Sequence, residues 1–144
     1  MIVIDDALLL VVLGDQDDSR VAPIVQSAGL GGVFTTGLWY LRLARALARP
    51  GSGVHTRAFM RLDDDRRSRV RAGLGELPEE IGLITMRRLV PVMSVLPGGL
   101  NLLASEALAA AVVLDARIVL TTRSPPLMSA AAAVGMSVDV VDLG

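Results

Sequence analysis

The stretch Asn101–Ser124, NLLASEALAAAVVLDARIVLTTRS, decides the fold. Asn101 is a helix-capping residue type, because its short side chain can accept a hydrogen bond from a first-turn amide. Leu102 to Leu114 is Ala-rich and apolar on nearly every side, which predicts a buried helix interrupted by one acid, Glu106. Asp115-Ala116 makes a turn, and the apolar run Arg117 to Thr121 predicts a strand. Pro125 is suited to the first position of another helix, which Leu127 to Val134 continues and Gly135 ends. Ser137 to Leu143 then predicts a closing strand, with Val138, Val140 and Val141 turned inward. Helix, strand, helix, strand at such short spacing implies parallel strands joined by right-handed crossovers.

Working outward, Met1 to Ile4 reads as a buried strand, since parallel strands covered on both faces lose their alternation. Asp5 or Asp6 caps the apolar helix Ala7 to Leu13, which Gly14 stops. After the polar loop Asp15 to Arg20, a short helix spans Val21 to Ala28, and Gly29 to Gly32 is a turn without the spacing of a phosphate-binding loop. Val33 to Thr36 suits a short strand, and Thr36 caps a helix from Gly37 to Ala48 with Arg42, Arg45 and Arg49 on its outer face. Pro50-Gly51-Ser52-Gly53 breaks the chain, and His55, the single histidine, is expected to be exposed in a loop. Arg57 to Ala72 reads as one helix whose Asp63-Asp64-Asp65 run precedes Arg66, Arg67, Arg69 and Arg71, giving a salt-bridged outer face. Glu79 to Leu89 is expected to be helical, with Arg87 and Arg88 at its C-terminal end. Pro91 to Leu96 follows as an extended segment or loop. The fold expected is a single α/β domain over residues 1–144, with a three- to four-stranded, mainly parallel sheet flanked by helices on both faces.

Composition narrows the function. The chain has 144 residues, 52% of them hydrophobic but only 3% aromatic, so one sizeable core must be built from Ala, Leu, Val, Ile and Met. With no cysteine, disulfides and thiolate metal sites are excluded. A formal charge of −1 argues against a strong non-specific binder of nucleic acid or membrane surfaces. All fourteen basic residues are arginine, which reads first as the codon bias of a high-GC bacterial genome. No apolar run reaches the ~20 residues of a membrane span, and the start lacks a basic signal-peptide region, so a cytoplasmic location is expected.

In open parallel sheets, ligands gather beyond the carboxyl ends of the strands. Asp5 and Asp6 end the first strand, Thr121, Thr122, Arg123 and Ser124 end the strand after the Ala-rich helix, and Glu106 lies in the N-terminal part of that helix. Carboxylates clustered there suit Mg²⁺ or Mn²⁺, hard cations that take oxygen ligands and activate water for phosphodiester cleavage.

Four segments resemble the PIN-domain family, the fold of many bacterial ribonuclease toxins. VIDDALLL resembles its opening strand and acid, and TTGLWYLRLARAL its Thr-initiated second helix. EALAAAVVLDARIVLTTRSPPL resembles its acid, Ala-rich helix, strand and Thr, and GMSVDVVDL its closing strand. The resemblance implies Asp5, Asp6 and Glu106 as metal ligands, Asp5 and Glu106 as catalytic acids, and Thr121 to Ser124 as substrate contacts. It is incomplete. The second helix carries no acid, Ala104 competes with Glu106 for the third acidic position, and Arg123 stands near the place of a final acid. Arg123 is expected to pair with Asp5 or Glu106 in place of a metal. The resulting expectation is a homodimeric PIN-like domain with an incomplete metal site, non-catalytic or weakly catalytic, that binds RNA or a protein partner such as an antitoxin. One alternative is a working Mg²⁺-dependent endoribonuclease of toxin–antitoxin type. Another is an unrelated small α/β nucleotide-binding or regulatory domain.

Overall fold

The computed structural model describes residues 1–15, 17–49 and 51–144; Gln16 of the polar loop and Pro50 of the chain breaker lie outside the described residues. Five parallel strands form one sheet: β1 (Ile2–Ile4), β2 (Val33–Thr35), β3 (Ile81–Leu83), β4 (Arg117–Leu120) and β5 (Val138–Val140), in the order β3-β2-β1-β4-β5. The α/β expectation holds, but the sheet has more strands than predicted. The addition is β3, which lies within a stretch expected to be helical. Its Ile81, Gly82 and Leu83 pair in parallel register with Val33, Phe34 and Thr35, and sheet pairing overrides a weak local preference.

The helices cover both faces. Every residue of β1 is buried, with Ile2 and Ile4 turned to one side and Val3 to the other. The first side packs against α1 (Asp6–Leu13), α3 (Gly37–Ala48), α4 (Val54–Met60) and α5 (Asp64–Gly75). The second packs against α6 (Met86–Met93), α7 (Leu102–Leu114) and α8 (Pro125–Ala133). The short α2 (Ala22–Ala28) links β1's layer to β2. In α7, six consecutive residues from Glu106 to Ala111 are buried. Alanine makes this possible, because its small side chain allows close approach on every side of the helix.

Several local expectations hold. Asp5, Thr36 and Asn101 each accept a first-turn amide hydrogen bond and cap α1, α3 and α7. Asp63–Arg66 and Asp64–Arg67 pair along α5 as anticipated. Others do not. The single helix expected from Arg57 to Ala72 is two helices, broken before the Asp63 cap. Arg87 and Arg88 open α6 rather than closing a helix, and α6 carries Pro91 inside it. Val140 is exposed rather than inward, because β5 is an edge strand.

Candidate functional site

The strand order fixes where a ligand site falls. From β1 the chain builds outward to β2 and β3, then returns to the other side of β1 for β4 and β5. The connections therefore diverge between β1 and β4, and the crevice beyond their carboxyl ends is the switch point at which α/β sheets bind ligands. A cavity of about 410 Å³ lies there. Its lining includes Asp5, Asp6, Thr121, Thr122, Arg123 and Ser124, the residues expected from the sequence at this position.

Glu106 is not among the lining residues, whereas Ala104, two positions earlier on α7, is. Successive helix residues turn by about 100°, so positions 104 and 106 face nearly opposite ways. Glu106 is neither in the cavity nor solvent-facing. It is 2% exposed, and its Oε1 accepts a hydrogen bond from the Leu38 amide at 2.8 Å. It thus caps α3 from a distant helix, satisfying an orphan amide at the positive end of the helix dipole.

Asp5 is bound almost entirely by its own fold. Oδ1 accepts from the Leu8 amide at 3.0 Å. Oδ2 accepts from the Thr121 amide at 2.6 Å and the Thr121 hydroxyl at 2.8 Å. Burial pushes its carboxyl above the ordinary value; the bonds from Leu8 and Thr121 oppose that rise, and the charge of Asp6 adds to it.

Asp6, 2% exposed, is held still more completely. Arg42 of α3 forks onto it, with Nε on Oδ2 and Nη2 on Oδ1 at 2.9 Å. His55 Nε2 lies 2.9 Å from Oδ2, and the Ala7 amide donates to Oδ1 at 3.1 Å. Burial works to raise the Asp6 carboxyl, but the hydrogen bonds and charges of His55 and Arg42 outweigh it and lower the value to about 2. This clasp joins α1, α3 and α4.

Arg42, assigned to an outer face, is half-exposed as expected, but its guanidinium also forks onto Asp6. His55, assigned to an exposed loop, is instead the second residue of α4, and its buried Nδ1 has no hydrogen-bond partner among the described residues. The expected pairing of Arg123 with Asp5 or Glu106 is not formed. Among the described residues Arg123 makes no ion pair, and the cation that neutralises a site acid is Arg42. No sequence signal marks Arg42 or His55, since they meet Asp6 across separations of 36 and 49 residues.

The donor set does not fit a hard divalent ion. A carboxylate offers about four lone-pair positions. Asp6 accepts four hydrogen bonds and Asp5 three, so the two together have about one position left. A cation taking more than that one position would have to displace the Arg42 guanidinium or the Thr121 donors. The third acid is elsewhere, and no group of three or more candidate metal-ligating side chains occurs among the described residues. No protein-family model and no curated protein matches the chain.

Proposed function

We propose that this chain is a PIN-like domain that acts by binding rather than by metal-dependent phosphodiester cleavage. The observation that carries this reading is the occupation of Asp5 and Asp6 by seven protein hydrogen bonds, two of them from Arg42. RNA is the partner favoured. Past Val54 and His55, the cavity adjoins a second cleft lined by Arg20, Arg57, Arg61 and Arg66. Arg20 and Arg66 pair with Asp18 and Asp63, but Arg57, Arg61 and Arg123 have no carboxylate partner among the described residues. Local arginine clusters attract phosphates even where the whole chain is near neutral.

The assembly proposed is a homodimer. Leu41 and Leu102 are 50% and 72% exposed, and Leu41 lines a shallow groove together with Leu38, Leu103, Arg42 and Arg45.

The test combines thermal melting with Mg²⁺ and Mn²⁺, fluorescence anisotropy with labelled single-stranded RNA, and a cleavage gel. The expected outcome is salt-dependent RNA binding, no metal-induced rise in melting temperature, and no cleavage. Metal stabilisation together with RNA cleavage, both abolished by Asp5→Ala, would overturn the reading in favour of the endoribonuclease. Absence of RNA binding would overturn RNA as the partner.

A further inference from the structure

We infer that the cavity beyond β1 and β4 is an anion site, taking one phosphate-monoester or carboxylate group carried on a small apolar body. The inference rests on the reading that the site's acids are committed to the fold, and it extends that reading by naming what the cavity holds.

The cavity's carboxylate acceptors are nearly consumed by the seven hydrogen bonds on Asp5 and Asp6. Its donors are not. Arg123 carries five N–H groups and makes no hydrogen bond or ion pair among the described residues. Ser124 leads into α8 without a side-chain capping bond, and its hydroxyl has no partner among the described residues. Asn101 spends its Oδ1 on the Ala104 amide at 2.8 Å, which leaves its NH₂ group as a donor. Thr122 adds a second uncommitted hydroxyl, and Arg42 retains Nη1 after its fork onto Asp6.

A cavity with spent acceptors and free donors is complementary to an acceptor-only ligand. Phosphate monoesters and carboxylates are the common anions of that kind, and a free guanidinium matches both in planar, bidentate fashion. The remaining wall is apolar, formed by Trp39, Leu103, Ala104, Leu120 and Leu127. That surface, with a volume of about 410 Å³, suits a small organic body attached to the anion better than a bare ion. Asp6 does not repel such a ligand strongly, because Arg42 neutralises it at contact distance.

The test is isothermal titration calorimetry at constant ionic strength with inorganic phosphate, adenosine monophosphate and acetate as separate probes. Wild type is expected to bind at least one anion saturably, and an organic phosphate more tightly than inorganic phosphate. Phosphate binding without acetate binding assigns the phosphate class, and the reverse assigns the carboxylate class. Arg123→Gln should weaken binding about tenfold or more, the scale of one charge-assisted bidentate contact. Arg88→Gln, an exposed arginine of α6 outside the cavity, should leave binding unchanged. Arg42 is unsuitable as a probe, because its removal would strand Asp6.

No saturable binding of any probe up to about 10 mM, a range that still detects very weak sites, overturns the inference. Equal losses for Arg123→Gln and Arg88→Gln also overturn it, since the effect would then be bulk electrostatics. A parallel MgCl₂ titration distinguishes failure of the anion site from failure of the binding-module function. Metal binding that Asp5→Ala abolishes overturns the binding-module reading itself. Silence toward both metal and anions overturns only the anion site.

Discussion

Replacing Arg42 with methionine probes the clasp directly, because it keeps much of the apolar stem and deletes the fork on Asp6. The magnitude follows from Asp6. Its carboxyl is lowered from 3.8 to about 2, and each pKa unit corresponds to about 1.4 kcal/mol. Ionised Asp6 therefore contributes about 2–3 kcal/mol to stability at neutral pH. Removing one partner of a fully buried pair costs about 3–5 kcal/mol. Here His55 remains, and the Arg42 side chain is half-exposed, so the expected loss is nearer about 2 kcal/mol. For a chain of this size that lowers the melting temperature by roughly 4–8 °C.

The sign of the pH dependence adds a second readout. In wild type the folded Asp6 value lies below the unfolded one, so its contribution is fully present above the unfolded value, 3.8, and is lost as pH falls toward about 2. In Arg42→Met, burial dominates and the Asp6 carboxyl moves up. The variant then gains a proton more readily when folded, and its deficit shrinks as the solution is acidified. Urea unfolding followed by circular dichroism near neutral pH and near about pH 3 measures both effects. The double variant Asp6→Asn/Arg42→Met should recover part of the loss, and the double-mutant cycle should give a coupling of about 2 kcal/mol. A loss below about 0.5 kcal/mol, with a pH profile parallel to wild type, would refute the clasp and mark the contact as an ordinary surface pair.

Glu106→Ala should cost about 1–3 kcal/mol in urea unfolding, because it strands the Leu38 amide, while RNA and anion binding stay unchanged; a loss of binding at intact stability would return Glu106 to the site. Thr121→Val removes the hydroxyl bond to Asp5 but keeps the amide bond. It should raise the Asp5 carboxyl further, as read by carboxyl-carbon NMR titration, and a downward shift would contradict the assigned bonding. The raised Asp5 value means that its part of the stability is present at low pH and is lost as pH rises through the folded value, opposite in sign to Asp6. Light scattering at micromolar concentration should report a dimer that Leu41→Glu and Leu102→Glu dissociate; a wild-type monomer would remove the proposed assembly.

The caps and the chain order were legible because they depend on neighbours. Asp5, Thr36 and Asn101 each satisfy an amide only three residues away, so residue type and position suffice, whereas the same kind of cap at Asp63 was hidden inside what read as one continuous helix. The sheet's parallel character followed from alternating helices and strands at short spacing. The gathering of Asp5, Asp6 and Thr121 to Ser124 followed from where such a sheet leaves its strand ends. β3 was missed because its three residues carry little local signal and owe their conformation to pairing with β2.

What the sequence by itself determined is the layered α/β scaffold and the cavity's address, since both are set by local propensity and chain connectivity. Only the tertiary structure decided what the carboxylates do there. Glu106 turns to the Leu38 amide, 68 residues away, and Asp6 turns to Arg42 and His55. A buried carboxylate must find donors, and several were within the composition's reach. Which donors it finds depends on how α1, α3, α4 and α7 pack, and that packing is a property of the assembled core rather than of any segment.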